Sequence, residues 1–242
     1  MMEVSGKKKI KPDPFTDIVF SWSLEDIFNE DLYKDKVKKI PESFQSAQHY
    51  FRSYIYPLLE ETRAELHSNM KTLNRAPFAQ VVGFEEAQPY GTKLYDVKVD
   101  YWHNRFIDSG KEPYKTLPGD LFVLADAKPE TVSDLQRVGR SWAFASATNY
   151  VPESENEDDS TSLYFKVMAS KEFEVKNSTT SLFIVFLGSL IRDGRIWKAL
   201  HMSRNLNIIN EVLCTDSMVQ KGFCSERNND IWNQSIVESL LM

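Results

Sequence analysis

The chain has 242 residues, 42% of them hydrophobic and 26% charged, with a formal net charge of -6 at pH 7. That is ordinary globular composition, long enough for a substantial core in one or two domains. The acidic balance excludes a surface that grips phosphates along its whole length, and having only two cysteines, Cys214 and Cys224, excludes a disulfide framework or a four-cysteine zinc site.

The chain opens on a short basic run, Lys7-Lys8-Lys9-Ile10-Lys11, with no apolar stretch of the kind a signal peptide needs. This run reads either as a nuclear import signal or as an ordinary solvated terminus, and the expected location is intracellular and nuclear. Asp13-Pro14 is a cap and first-turn pair, and Phe15, Ile18, Val19 and Trp22 repeat at helical spacing, which predicts a short amphipathic helix. After a lysine-rich stretch to Pro41, the residues Phe44, Ala47, Phe51, Tyr54, Leu58, Thr62 and Leu66 mark one face of a long helix from about Ser43 to Met70. Pro57 lies inside it and is expected to bend or reset it.

From Pro77 the texture changes to short runs rich in β-branched and aromatic residues: 78–84, 92–102, 120–125, 141–150, 163–169 and 181–191. Six strands are expected. In the second, Leu94, Asp96, Lys98 and Asp100 alternate with Tyr95, Val97, Val99 and Tyr101, giving a wet face and a buried one. The acidic run from Pro152 to Ser160 reads as a mobile solvated loop in preference to a metal or partner site. Asp193-Gly194 is expected to open a returning helix through Ile196, Trp197 and Leu200, continuing through Leu206, Ile208, Ile209, Val212 and Leu213. The predicted fold is therefore α+β: a small antiparallel β-barrel of about six strands flanked by helical arms. Its divisions are a disordered basic tail (1–14), a helical arm (15–76), the barrel (77–192), and returning helices with a loose C-terminal segment (193–242).

Motifs for chemistry are sparse. The nine glycines are scattered and none precedes a Lys-Ser or Lys-Thr pair, so no P-loop is present to cradle phosphates. Phe84-Glu85-Glu86-Ala87-Gln88 imitates an acidic Mg²⁺-binding motif, but with no P-loop upstream it reads as a strand end running into a turn at Pro89-Tyr90-Gly91. His49, His67, His103 and His201 show no paired spacing, so no metal site is expected, and no Gly-x-Ser-x-Gly elbow occurs. The leading contact surface is the stretch after the last strand, where Arg192, Arg195 and Lys198 fall on one side of a helix and Ile196, Trp197 and Leu200 on the other. A basic face on a buried anchor could meet a phosphate backbone; the plain reading is a solvated face, or partners of nearby acids. Arg137 and Arg140 form a second candidate.

Several stretches together resemble one family. Tyr50 through Leu66, with its core Tyr56-Pro57-Leu58-Leu59-Glu60-Glu61-Thr62-Arg63-Ala64-Glu65-Leu66, is similar to the helix that precedes the accessory barrel in plant senataxin-like superfamily 1 helicases. Tyr90-Gly91 through Leu94-Tyr95-Asp96-Val97-Lys98-Val99, then Pro118-Gly119-Asp120-Leu121-Phe122-Val123-Leu124 and Trp142-Ala143-Phe144-Ala145, resemble the barrel strands. Arg195-Ile196-Trp197-Lys198-Ala199-Leu200 and Asn205-Leu206-Asn207-Ile208-Ile209 resemble the helices that return towards the motor. The resemblance covers most of residues 15 to 213. It implies a barrel seated on the first RecA-like motor domain, shaping a nucleic-acid channel and coupling it to ATP hydrolysis. The P-loop and later motifs would lie beyond Met242, so the expectation is a non-catalytic accessory region without a cofactor. Its expected partners are a motor domain in cis and, weakly, single-stranded RNA or DNA, with no membrane. The alternative is a free-standing protein-interaction module indifferent to nucleic acid.

Overall fold

A computed structural model describes residues 13–88, 90–103, 114–148, 163–173 and 181–201. The basic run before Asp13, the acidic loop and the continuation through Leu206 to Leu213 lie outside the described residues.

Helix α1 (Pro14–Ser21) begins where Asp13 and Pro14 place it: the Asp13 carboxylate accepts from the Phe15 N–H at 3.5 Å, and proline occupies a position with no donor to lose. Phe15, Ile18, Val19 and Trp22 are buried, as their spacing predicts. A second helix, α2 (Leu24–Phe28), follows at once. It was not anticipated, yet its signal is in the sequence: Ser23 and Asp26 form a capping box, with Ser23 N–H donating to Asp26 at 2.8 Å and Asp26 N–H to Ser23 Oγ at 3.1 Å. The long helix α3 (Ala47–Lys71) starts later than expected because Ser46, not Ser43, supplies the cap, accepting from the His49 N–H at 3.1 Å. It is one element across Pro57 and is not reset there.

Six strands, β1 (Phe78–Glu86), β2 (Leu94–Val99), β3 (Asp120–Ala125), β4 (Trp142–Ala147), β5 (Tyr164–Ala169) and β6 (Leu182–Ser189), close into an antiparallel barrel in the order β1-β2-β5-β4-β3-β6. The fold is thus α+β with a small six-stranded barrel, and closure leaves no sheet edge to template aggregation. A short helix, α4 (Val132–Leu135), interrupts the β3–β4 connection.

Two cores follow from strand alternation. Inside the barrel lie Phe122, Leu124, Phe165, Val167, Val97, Val99, Ile184 and Trp102, with small Ala143, Ala145 and Ala147 along β4 making room for the large rings opposite. On the outer face of β3 and β6, Leu121, Val123, Val185 and Leu187 join Phe15, Ile18, Ile27, Leu59, Leu66 and Met70 from the helices. β3 is buried at all six positions because each of its faces serves one core.

The alternation expected along β2 fails at both ends. Leu94, placed on the wet face, is 2% exposed because Ala87, Met168 and Phe20 of α1 cover it. Tyr101, placed on the buried face, is 59% exposed. Its neighbours explain the reversal: Val81 pairs with Val99 and Gln80 bonds Asp100, but Phe78 bridges His103, so β2's extension holds one residue more than β1. This bulge turns Tyr101 outward and Trp102 inward. A similar shift between Val81 and Gly83 leaves Val82 58% exposed.

Helix α5 (Ile191–His201) begins two residues before the expected Asp193. Gly119 fixes its start: at φ +84° a glycine carbonyl accepts from Leu190 N–H at 2.9 Å, and an added Cβ would lie 2.5 Å from Ile191 Cγ1. Gly119→Ala is expected to lower the unfolding free energy by about 2–4 kcal/mol, combining left-handed backbone strain with overpacking, as read from the denaturant midpoint.

Candidate nucleic-acid interface

The face carrying Arg192, Arg195 and Lys198 is set by what α5 buries. Asp193, 2% exposed, accepts from Thr62 Oγ1 of α3 at 2.8 Å and from Arg192 Nε at 2.8 Å. Gly194 is close-packed: a Cβ there would sit 2.9 Å from an Asp13 carboxylate oxygen. Trp197 is 3% exposed with its ring 5.6 Å from that of Phe15. Asp193, Gly194 and Trp197 therefore form the inward stripe, with Leu200 and His201 half-buried beside it.

This stripe divides the three predicted cations. Arg192 is committed to acids, with Asp193 at 2.8 Å and Glu61 and Glu65 of α3 each at 3.3 Å. A phosphate would have to compete with three carboxylates for it. Arg195 and Lys198 are exposed, and no carboxylate among the described residues pairs with either. Ile196, expected on the buried side, is instead 40% exposed. The inward stripe of α5 runs through 193, 194 and 197, which leaves 196 on the flank.

Arg137 and Arg140 come together in the β3–β4 connection, where Thr131 and Asp134 cap α4. With Lys128 they line a cleft of about 220 Å³, bordered also by Asp126, Glu130 and Trp142. Each cation there has its own acid: Arg137 with Asp134 at 2.8 Å, Arg140 with Asp126 at 3.6 Å, and Lys128 with Glu130 at 3.1 Å. Three acids against three bases leave no surplus positive charge to hold a phosphate. The structure thus places the two predicted patches on separate elements and leaves Arg195 and Lys198 as the uncommitted pair.

Sequence reasoning missed the aromatic column beside the bulge. Tyr101 packs at 4.0 Å on His103, which stacks at 4.7 Å and 7° on Phe78, and Lys128 Nζ stands 3.8 Å from the Phe78 centroid. A signal was present: adjacent Tyr101 and Trp102 cannot both face inward on an alternating strand, so one must be turned out. Glu85 and Glu86 end β1, as expected of a strand end, and Glu86 accepts from the Gly91 N–H. No group of three or more metal-ligating side chains gathers among the described residues, and no helix there is long and apolar enough to cross a membrane.

At the end of α5, the His201 Nδ1–H donates to the Trp197 carbonyl at 2.8 Å, which leaves Nε2 as the unprotonated nitrogen, buried without a partner among the described residues. Burial holds its pKa below the ordinary value, outweighing the favourable bond to Trp197. The folded state therefore takes up this proton less readily than the unfolded one. Its stabilising contribution is whole above pH 6.5 and is lost as pH falls through the depressed folded pKa. Melting curves between pH 7.5 and 5 should show an acid-side decline that is shallower in His201→Phe.

The geometry defines a class: a closed six-stranded barrel capped on one face by helices from both sides of it in sequence. Within that class, the chain belongs to the family described as a domain of unknown function (DUF6469), whose model matches residues 11–220. No curated protein matches the chain.

Proposed function

We propose that the chain is a non-catalytic accessory region of an ATP-dependent RNA or DNA helicase of the senataxin-like kind, packing on a motor domain and lending a local basic contact to its nucleic-acid channel. The observation that carries the nucleic-acid contact is the pair Arg195 and Lys198, exposed on a helix anchored through Asp193 and Trp197 and unpaired with any described carboxylate. An anchored helix holds two charges at a fixed spacing without the entropy cost of ordering a loop. The sequence resemblance supports the motor as partner, and the missing P-loop supports the absence of ATP turnover in this chain.

The test is a titration with single-stranded RNA across a salt series. Binding should be weak and salt-dependent, and Arg195→Ala with Lys198→Ala should reduce the log–log salt slope by about 1.4, at about 0.7 per phosphate on a single strand. Negligible binding at low salt, or binding that the double variant leaves unchanged, would sink the nucleic-acid role. A second reading, a protein-interaction module, is favoured by the outward-turned Val82 of β1 and Tyr101 just past the end of β2, exposed at 58% and 59%. In that case Val82→Lys and Tyr101→Lys would abolish partner capture while the RNA titration stayed flat.

A further inference from the structure

The cleft in the β3–β4 connection has no surplus charge for a phosphate, but its charged groups are not equally committed. Asp134 accepts from the Glu130 and Thr131 N–H groups through one oxygen and pairs with Arg137 at 2.8 Å through the other. Glu130 meets Lys128 at 3.1 Å, and Lys128 also stands over the Phe78 ring. Asp126 and Arg140 differ: their separation of 3.6 Å is beyond a hydrogen bond. Asp126 Oδ2 accepts from the Ser141 N–H at 2.9 Å, which fixes the carboxylate where β3 and β4 join. Its Oδ1 is buried with no hydrogen-bond partner among the described residues. A buried carboxylate oxygen without a donor is costly, so this position lacks something that the fold around it does not supply.

The walls of the cleft narrow what that could be. Its volume of about 220 Å³ is below the roughly 300–1,000 Å³ that encloses a drug-sized ligand, which leaves room for one ring system. Half-buried Trp142 supplies an aromatic wall, and Lys171 Nζ stands 5.2 Å from its ring centroid. With three acids balanced by three bases, the interior suits a neutral group better than an ion. That group has to donate to Asp126 and accept from Arg140 side by side, and be flat enough to lie along Trp142. Guanine carries this edge: N1–H and the 2-amino group donate together, beside O6 as acceptor. Adenine turns an unprotonated ring nitrogen towards the carboxylate, and cytosine and uracil each have a single donor group on that edge.

We propose that this cleft binds one unpaired guanine base of a single-stranded nucleic acid. The base donates through N1–H and its 2-amino group to the Asp126 carboxylate, accepts at O6 from Arg140, and lies against Trp142. Oδ2 has a second lone pair for this and keeps its bond to Ser141. Arg140 covers Oδ1 in the free protein and turns outward as the base enters, a movement open to a side chain 39% exposed. The inference rests on nucleic acid being the ligand of this region and adds a sequence preference to it. Arg195 and Lys198 would meet phosphates of any sequence, whereas the cleft reads one base.

The probe is guanosine, which has no phosphate, so the outcome does not depend on Arg195 or Lys198. Titration into the full chain, followed by ligand-observed NMR, should favour guanosine over adenosine by about tenfold or more. Inosine, which lacks the 2-amino group, should bind more weakly than guanosine, a comparison that needs no variant. In Asp126→Asn, whose carboxamide oxygen can keep the Ser141 bond, the preference for guanosine should disappear while the melting temperature stays close to wild type. Equal binding of guanosine and adenosine, or of guanosine and inosine, overturns the site, as does a preference that survives Asp126→Asn. Binding of N-acetylglutamine amide as tight as that of guanosine overturns it too, because the ligand would then be a peptide carboxamide. Guanosine bound as described, beside an RNA titration with no salt dependence, supports the cleft and removes only the contact at Arg195 and Lys198.

Discussion

Phe122→Ala is expected to be among the most damaging single changes, costing about 3–5 kcal/mol of unfolding free energy. Phe122 is 0% exposed at the centre of the barrel, with Trp102 at 5.9 Å, Phe165 at 6.0 Å and Phe186 at 6.1 Å between ring centroids. It faces Ala145 directly across the β3–β4 ladder, and that alanine has no atoms to move into the space left. The loss therefore combines transfer of a phenyl ring with a cavity that the closed barrel cannot collapse, because each strand is tied on both sides. A domain of this size has roughly 5–15 kcal/mol to spare, so the variant should be marginal at 37 °C. Urea unfolding followed by tryptophan fluorescence measures it, and a shift worth under about 1 kcal/mol would mean that the interior repacks freely. Ala145→Leu offers a complementary check: in the wild type it should overpack the same space, yet alongside Phe122→Ala it should recover part of the lost stability.

The strands were legible because their burial is written into composition. β3 was expected at 120–125 and occupies Asp120–Ala125, since an uninterrupted apolar run with a glycine turn before it leaves little else to form. Helix α1 was legible from Asp13, Pro14 and four apolar positions for the same reason. What the sequence left hidden is where one strand counts an extra residue against its neighbour. Tyr101 and Val82 are turned outward by pairing shifts that depend on β1 and β2 meeting, a fact no single-strand pattern contains. Leu94 was misplaced because its cover, Phe20, comes from a helix more than seventy positions earlier in the chain.

The candidate site was legible in location and less so in chemistry. The sequence puts Arg192, Arg195 and Lys198 on one helix, but whether a cation is available depends on the carboxylates folded against it. Glu61 and Glu65 lie about 130 residues away and claim Arg192 alone, as the sequence separations of 131 and 127 show. The same holds for Arg140, whose partner Asp126 sits on the far side of the α4 connection. A charged residue's role is thus a tertiary property even where its position on a helix is not.

Arg63→Met should rival the barrel substitution, with an expected cost of about 3–5 kcal/mol. The Arg63 side chain is 3% exposed, grips both Glu60 oxygens through Nε and Nη2 at 2.8 and 2.7 Å, and donates through Nη1 to the Ile27 carbonyl at 2.6 Å. That last bond closes the end of α2, whose carbonyls have no further turn to receive them, onto the middle of α3. Methionine fills most of the volume but leaves the Ile27 carbonyl and the Glu60 carboxylate without their donor. Glu60 is 29% exposed, so water can recover part of its loss, whereas the carbonyl beneath has no such route. The double variant Arg63→Met with Glu60→Met separates the two contributions: it should regain the share owed to the stranded carboxylate and keep the share owed to Ile27. If the double variant matches wild-type stability, the ion pair matters only through its stranded charge. If it matches the single variant, the packing of α2 on α3 depends on the bond to Ile27, and hydrogen exchange in residues 24–28 should rise first.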